Sequence, residues 1–227
     1  MKILGIETST RACSVALSED GTILATEDSG GSFRPSDQLM GQIESCLKVA
    51  KITAKDLDGI AVSAGPGSFT GLRVGITAAK TLGFALSKPV ASVSSLDVLA
   101  ANAPKQELPL WVLVDARKGK LYAACYQAAA NGLPQRVGPE QLVEPEQFVK
   151  QLEGASVMLG DGLTRYGDRI QQAMKNKATF LKQETWVPKA SFVCQLGQGV
   201  LSEGKVVDPH QLTPRYLYSK ESDMTGW

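Results

Sequence analysis

The chain has 227 residues, one histidine, almost no net charge and no long apolar run. Each scarcity removes a class of function. A lone histidine, His210, excludes every metal motif that needs two histidines from the same chain. A Ser-His-Asp arrangement would have to use His210, which follows Asp208-Pro209 in a stretch that reads as an exposed loop. The 24 Lys+Arg and 23 Asp+Glu leave a formal charge of +1. Such a chain is a poor free-standing nucleic-acid binder, because that affinity comes from neutralising phosphates. No segment approaches the ~20 apolar residues of a membrane span. The opening, Met1 to Glu7, has no signal-peptide pattern. Cys13, Cys46, Cys125 and Cys194 form no CxxC pair, and each lies in an apolar stretch. They read as buried thiols in a reducing cytoplasm, with no membrane contact and no zinc.

What is present is an ordinary globular composition, 43% hydrophobic and 21% charged. The length suits one large domain or two small ones, burying ~70% of the unfolded chain's surface. Strand and helix signals alternate, which predicts an α/β fold. Lys2 to Ile6 is a short apolar run ending at Glu7-Thr8-Ser9-Thr10. Cys13 to Ser18 alternates, Asp20-Gly21 turns, and Thr22 to Ala25 resumes, a strong hairpin signal. Ser29 to Pro35 is a loop by composition. Ser36 to Val49 has helical apolar spacing with Ser36 as its N-cap. Leu57 to Ser63 reads as a buried strand, Thr70 to Leu86 as a helix, Pro89 to Val93 as a strand and Ser95 to Ala103 as a helix.

Pro104 to Pro109 marks the predicted boundary. Beyond it, Leu110 to Val114 and Leu121 to Tyr126 read as strands, and Asn131-Gly132 turns. The order repeats the opening of the chain, with Glu7 falling on Asp115 and Gly21 on Gly132, so two related halves are expected. Pro145 to Leu152, Thr164 to Met174 and Ala190 to Leu201 read as helices, and Ser156 to Leu159 as a strand ending at Gly160-Asp161-Gly162.

The most informative stretch is Ser63 to Ser87. A glycine-rich turn, Ala64 to Gly71, follows a strand and opens a helix, a geometry suited to anion binding or to a capped helix start. It is not a Walker loop, because no Lys-Ser/Thr follows the glycines, and it lacks the third glycine of a dinucleotide fingerprint. In the helix, Gly71, Gly75, Ala79 and Gly83 recur every four residues. Glycine inside a helix costs ~1 kcal/mol relative to alanine, so close packing must offset it. Either the chain's own domain or a partner subunit could supply that packing.

KILGIETST, the CSVALSEDG hairpin, AGPGSFTGLRVGI and VLVDARKGKLYAACY together resemble the TsaB (YeaZ) family. This is the accessory subunit of the bacterial machinery that makes threonylcarbamoyladenosine in tRNA. The resemblance is close from Met1 to about Leu99, continues over Asp115 to Tyr122, and is looser beyond. The strand-acid-hairpin opening alone would point only to the wider actin/Hsp70/sugar-kinase superfamily.

The resemblance implies an α/β fold of two actin-like subdomains, each a mixed sheet with helices, over residues 1–104 and 105–212, then a tail over 213–227. It implies a non-catalytic subunit that binds and activates a paralogous enzyme, TsaD, which modifies the adenosine next to the tRNA anticodon. Further implied partners are a TsaE-like ATPase within the complex, a second copy of the chain when it is alone, and tRNA only through the complex. The implied interface is the first two helices, through Leu39, Met40, Ile43 and Leu47, and through Gly71, Leu72, Gly75, Ile76, Ala79 and Gly83. The catalytic paralogue holds a metal through two histidines on its first helix; this chain has neither, and no metal or catalytic residue is expected. No cofactor is required, with ATP or ADP binding left to the complex.

The alternative is an ATPase or phosphotransferase of the actin-like superfamily, using a degenerate nucleotide cleft at Glu7, Thr8, Ser9, Gly65, Gly67 and Ser68. Family members usually end the first strand in Asp-Thr, where this chain has Glu7-Thr8, and Pro35 stands where a histidine is common. Asp115 is followed by Ala116-Arg117-Lys118, not by a glycine-rich phosphate loop. Gly160-Asp161-Gly162 is either a remnant adenosine-side loop or a plain turn. No nucleophile–base pair supports a protease. Arg117, Lys118 and Lys120, like Lys175, Lys177 and Lys182, are either solvated faces or RNA contacts within an assembly.

Overall fold

The computed structural model describes residues 1–29, 35–130, 132–175 and 177–218. The chain folds as two compact units. The first comprises Met1–Val98 and Pro188–Arg215, the second Leu99–Val187 with the residues from Tyr216 onward. Among the described residues no helix is long and apolar enough to cross a membrane.

The first unit is built on a five-stranded sheet of order β3-β2-β1-β4-β5. β1 (Lys2–Glu7), β2 (Ser14–Glu19) and β3 (Thr22–Asp28) form an antiparallel meander, while β4 (Gly59–Ser63) and β5 (Val90–Val93) add parallel strands. Alternation along β1 divides the two faces. Leu4 and Ile6 join a core closed by α1 (Pro35–Val49) and α2 (Phe69–Leu86), which contribute Leu39, Ile43, Cys46, Ile76 and Ala79. Ile3 faces the other way, into a core with Ala61, Ala91, Val193 and Cys194. That core is closed by α6 (Ala190–Ser202), which lies so near the sheet that a Cβ on Gly197 would sit 2.3 Å from the Cβ of Ala61. After α6 the backbone crosses back over the sheet. Val207 bridges Val90, Leu212 enters the α1/α2 core, and the Arg215 amide donates to the Ala64 carbonyl at 2.7 Å.

The second unit repeats the topology, with sheet order β10-β9-β6-β7-β8. β6 (Leu110–Arg117), β7 (Lys120–Gln127) and β8 (Gln135–Val143) form the meander, and β9 (Ser156–Leu159) and β10 (Ala178–Phe180) the parallel arm. α4 (Pro145–Lys150) and α5 (Gly162–Ala173) pack Phe148, Leu163, Tyr166 and Ile170 on Leu113, Leu121 and Met158. Trp111 meets Phe148 edge-on at 5.1 Å. α3 (Ser95–Ala101) follows β5 where the first unit gives way to the second.

The two-fold repetition of strand order is the duplication expected from the sequence. The expected boundaries differ from the observed units. Residues 188–212 belong with the first unit, because α6 supplies one face of its core. The segment around Leu99 and the residues after Arg215 belong with the second. α1 begins one residue earlier than predicted, which places Ser36 inside the helix. The loop expected over 29–35 and the Asn131 turn fall largely outside the described residues. β8 and β10 carried no sequence signal. β8 is an edge strand with Gly138-Pro139 in its middle and polar residues at Gln135, Arg136, Glu140 and Gln141, and β10 has three residues.

Gly197→Leu is expected to destabilise the first unit by about 1–3 kcal/mol, the cost of overpacking against a sheet that cannot recede. A thermal melt checks it. An unchanged Tm would mean that α6 is not seated on Ala61.

Candidate functional site

The residues proposed for a nucleotide lie together at the carboxyl ends of β1 and β4. Glu7, Thr8 and Ser9 are 0–2% exposed, and Ser63 is fully buried. One Glu7 carboxyl oxygen accepts the Ser9 amide at 2.6 Å. The other, together with the hydroxyls of Thr8, Ser9 and Ser63, makes no hydrogen bond within the described residues. Burial raises the Glu7 carboxyl above its ordinary 4.5. The Ser9 and Ser63 hydroxyls and the Ser9 amide are near enough to oppose that shift without reversing it. Glu7 is therefore enclosed by the chain, with its carboxyl shifted towards the neutral form.

The glycine-rich turn is equally closed. The Ser68 amide donates to the Ser9 carbonyl at 2.7 Å, and the Ser68 hydroxyl caps α2 by accepting from the Gly71 amide at 3.3 Å. Gly65 takes φ +111°, its amide donating to the Ser95 hydroxyl. A Cβ at Gly67 would lie 2.3 Å from the Ser9 carbonyl oxygen, and one at Gly71 2.1 Å from that of Thr8. Gly65, Gly67 and Ser68 therefore start a helix tightly against a strand. In the second unit, Gly160 and Asp161 turn the chain from β9 into α5, which Gly162 opens. Gly160 has φ +116°, and a Cβ there would meet the Leu113 carbonyl oxygen at 2.2 Å.

The glycine stripe of α2 faces inward. After Gly71, a Cβ at Gly75 would strike the Thr8 hydroxyl at 2.2 Å, and one at Gly83 the Val90 side chain at 2.5 Å. Leu72, Ile76 and Ala79 are at most 3% exposed, and so are Leu39 and Ile43 on α1. The interface expected from the sequence therefore needs correction. Gly71, Leu72, Gly75, Ile76, Ala79, Gly83, Leu39 and Ile43 pack α1 and α2 onto their own sheet and have almost no surface to offer a partner. Leu47 is half-buried against the same core.

Met40 alone of the ten points outward, at 48% exposure. The faces that remain open carry residues the reading missed: Val49 on α1, and Phe69, Arg73, Thr77, Thr81 and Phe84 on α2. Arg73 lies 3.7 Å over the Phe69 ring, and His210 meets Phe84 edge-on at 5.3 Å. Lys80 donates to the His210 carbonyl at 3.3 Å. The signal was available, because Arg73, Thr77 and Thr81 recur every four residues beside the glycines and mark the opposite face.

No cysteine is poised as a nucleophile. Burial pushes the Cys13 and Cys194 thiols up to about 12 and Cys46 up to about 11, and raises Cys125 as well. All four stay protonated at neutral pH, and the thiolate is the reactive form.

Two predictions follow from the closed strand ends. Glu7 is protonated in the folded chain at pH values where the unfolded chain ionises it. Its stabilising contribution is complete below the unfolded value of 4.5 and is lost as pH rises through the folded value. Glu7→Gln should therefore match or exceed the wild-type Tm at about pH 7, with the gap closing towards about pH 4. A Gln variant less stable at neutral pH would mean that Glu7 is ionised and paired. Separately, Gly71→Ala should cost about 1–3 kcal/mol, the clash with Thr8 outweighing the ~1 kcal/mol gain in helix propensity. Gly41→Ala on α1, where a Cβ meets nothing within 4 Å, should be neutral or stabilising. Denaturant midpoints read both.

Known proteins match along almost the whole chain. The family model for "TsaD: tRNA N6-adenosine threonylcarbamoyltransferase" matches residues 34–196. The "tRNA threonylcarbamoyladenosine biosynthesis protein TsaB" of Bacillus subtilis is 32% identical over 226 residues, covering 98% of this chain and 96% of that protein. The solved structure of YeaZ from Pseudomonas aeruginosa superposes with a TM-score of 0.83 at 29% identity, covering 95% of this chain and 99% of the other. A ROK hexokinase from Thermus thermophilus, 11% identical, superposes with a TM-score of 0.52 over 90% of this chain and 100% of its own. That likeness concerns the fold alone: the chain shares the fold of that hexokinase. By near-complete alignment and closely superposing structure, the chain belongs to the TsaB (YeaZ) family.

Proposed function

We propose that this chain is a non-catalytic subunit in the synthesis of threonylcarbamoyladenosine in tRNA. It binds a TsaD-like threonylcarbamoyltransferase and activates it for modification of the adenosine next to the anticodon. The observation that carries the reading is the outer surface of α1 and α2. Met40, Val49, Phe69 and Phe84 are 48–68% exposed there. Between the two phenylalanines of α2 the exposed positions Thr70, Thr77 and Thr81 are uncharged. Arg73, the charged exception, is stacked on Phe69. Aromatic residues, methionine and arginine are the side chains enriched in protein interfaces, and exposed helices without a partner usually carry more charge.

Two further facts support the reading. A relative that aligns from end to end is named for this biosynthesis, and a family model of the transferase itself matches most of the chain. Such a match is what a paralogous partner would give. With one histidine, the chain cannot form a two-histidine metal site of its own. The same two helices would pair two copies of the chain when no transferase is present. A TsaE-like ATPase would join the assembly, tRNA would be engaged through it, and any ATP or ADP would be bound by the complex, with no cofactor required by this subunit. The location would be cytoplasmic, where tRNA and the transferase meet.

Met40→Asp combined with Phe84→Asp tests the interface. Both side chains are surface-exposed, so stability should stay within about 0.5 kcal/mol of wild type. Co-elution with the transferase should be lost, and modification of tRNA should fall to the level without this subunit. Co-elution at wild-type strength, with the fold intact, would overturn the reading.

A further inference from the structure

The turn between β6 and β7 breaks a local rule. Arg117 has φ +64°, Lys118 φ +47° and Gly119 φ +77°. Other non-glycine residues with positive φ among those described, Asp20, Lys51, Ser87 and Lys175, occur singly. Asn, Asp or Gly would adopt this backbone with the least strain, and Asn-Gly is the favoured pair in a two-residue hairpin turn. Here the two-residue turn is Lys118-Gly119, and Arg117, paired with Lys120 just after a register shift, takes positive φ as well, so two long cationic side chains sit on strained backbone. What they supply that Asn cannot is charge.

The turn is also fixed from behind. The Tyr218 hydroxyl is 2.9 Å from the Ala116 carbonyl oxygen and 3.1 Å from that of Arg117, and donates to this pair. The Lys120 ammonium lies 6.0 Å from the Tyr218 ring centre. The Arg117 amide donates to one Asp115 carboxyl oxygen at 2.9 Å, and its guanidinium reaches the other at 3.3 Å. Asp115 is itself positioned by Asp161, which accepts its amide at 2.9 Å. Asp115 is only 12% exposed at its side chain, whereas Arg117 is 70% exposed. The acid is recessed, Arg117 and Lys118 are exposed, and Lys120 is half-buried beside them. A rigid projecting group of cations suits a regularly spaced polyanion, because the ordering cost is met within the fold before binding.

We propose that the β6–β7 turn is a phosphate-backbone contact for RNA, made by Arg117, Lys118 and Lys120. The proposal rests on the reading that the chain works within a tRNA-modifying assembly; it adds that this subunit touches the tRNA directly. A neutral chain can do so because the contact is local and the assembly supplies the remaining charge.

The test is Arg117→Asn with Lys118→Asn, in the chain assembled with the wild-type transferase. Asparagine tolerates positive φ, so the turn should persist and the Tm should hold or rise. The affinity for tRNA is measured across a series of KCl concentrations. The slope of log affinity against log salt should become shallower by about 1–2, with weaker binding at every concentration. Unchanged affinity and slope in the folded variant complex would overturn the proposal. So would loss of the transferase with an unchanged slope, which would make the turn a contact for an acidic protein surface. If wild-type chain and transferase do not assemble, the function proposed above is wrong. The same salt series on the chain alone, started at low salt, then decides the turn by the same comparison.

Discussion

The structure depends on a contact with no side chain on one side of it: the seat of α2 on the backbone of Thr8 and Ser9. Gly67 and Gly71 stand where a Cβ would come within 2.3 and 2.1 Å of a carbonyl oxygen. No other residue lets the helix come so close. The second unit uses the same device in a different register, with Gly160 set against the Leu113 carbonyl. In both halves a glycine turn brings a helix directly onto the carboxyl end of a central strand. This closeness leaves Glu7 buried, with its carboxyl shifted towards the neutral form.

The energetics are consistent with such a seat. Each helix-interior glycine costs ~1 kcal/mol in propensity. Burial of Leu72 and Ile76 returns roughly 1.5–3 kcal/mol apiece, and it is available only while α2 lies flat on the sheet. The stripe also fixes the rotation of the helix. With Gly71, Gly75, Ala79 and Gly83 inward, Phe69, Thr77 and Phe84 must point out. One constraint therefore decides the internal packing and the composition of the outer surface together.

Much of this was legible in the sequence. The strand-hairpin openings, the helical spacing of Leu39, Ile43 and Cys46, and the repeat that aligns Glu7 with Asp115 follow from apolar periodicity and from Asp-Gly turns, which are local signals. The glycine stripe was also visible, but spacing alone cannot tell whether a side-chain-free stripe faces a partner or the chain's own sheet. That depends on what faces the stripe in space, chiefly Thr8, which is distant in sequence. The discontinuous first unit was hidden for a similar reason. The apolar face of α6, with Val193, Leu196 and Val200, fits any sheet, and only the geometry at Gly197 and Ala61 shows which one it covers. β8 was missed because an edge strand does not need apolar alternation. The positive φ of Arg117 and Lys118 has no sequence signature apart from Lys standing before Gly119 where Asn is favoured.

The central claim is that the inward seat of α2 turns a weakly charged, aromatic-bearing surface outward for the transferase. Hydroxyl-radical footprinting reads it most directly, because Met40, Phe69 and Phe84 are reactive side chains exposed in the isolated chain. The account predicts that these three lose reactivity together when the wild-type transferase is added, while exposed Leu108 and Val137 in the second unit do not. Protection of residues in the second unit, with Met40, Phe69 and Phe84 still reactive in a formed complex, would contradict it.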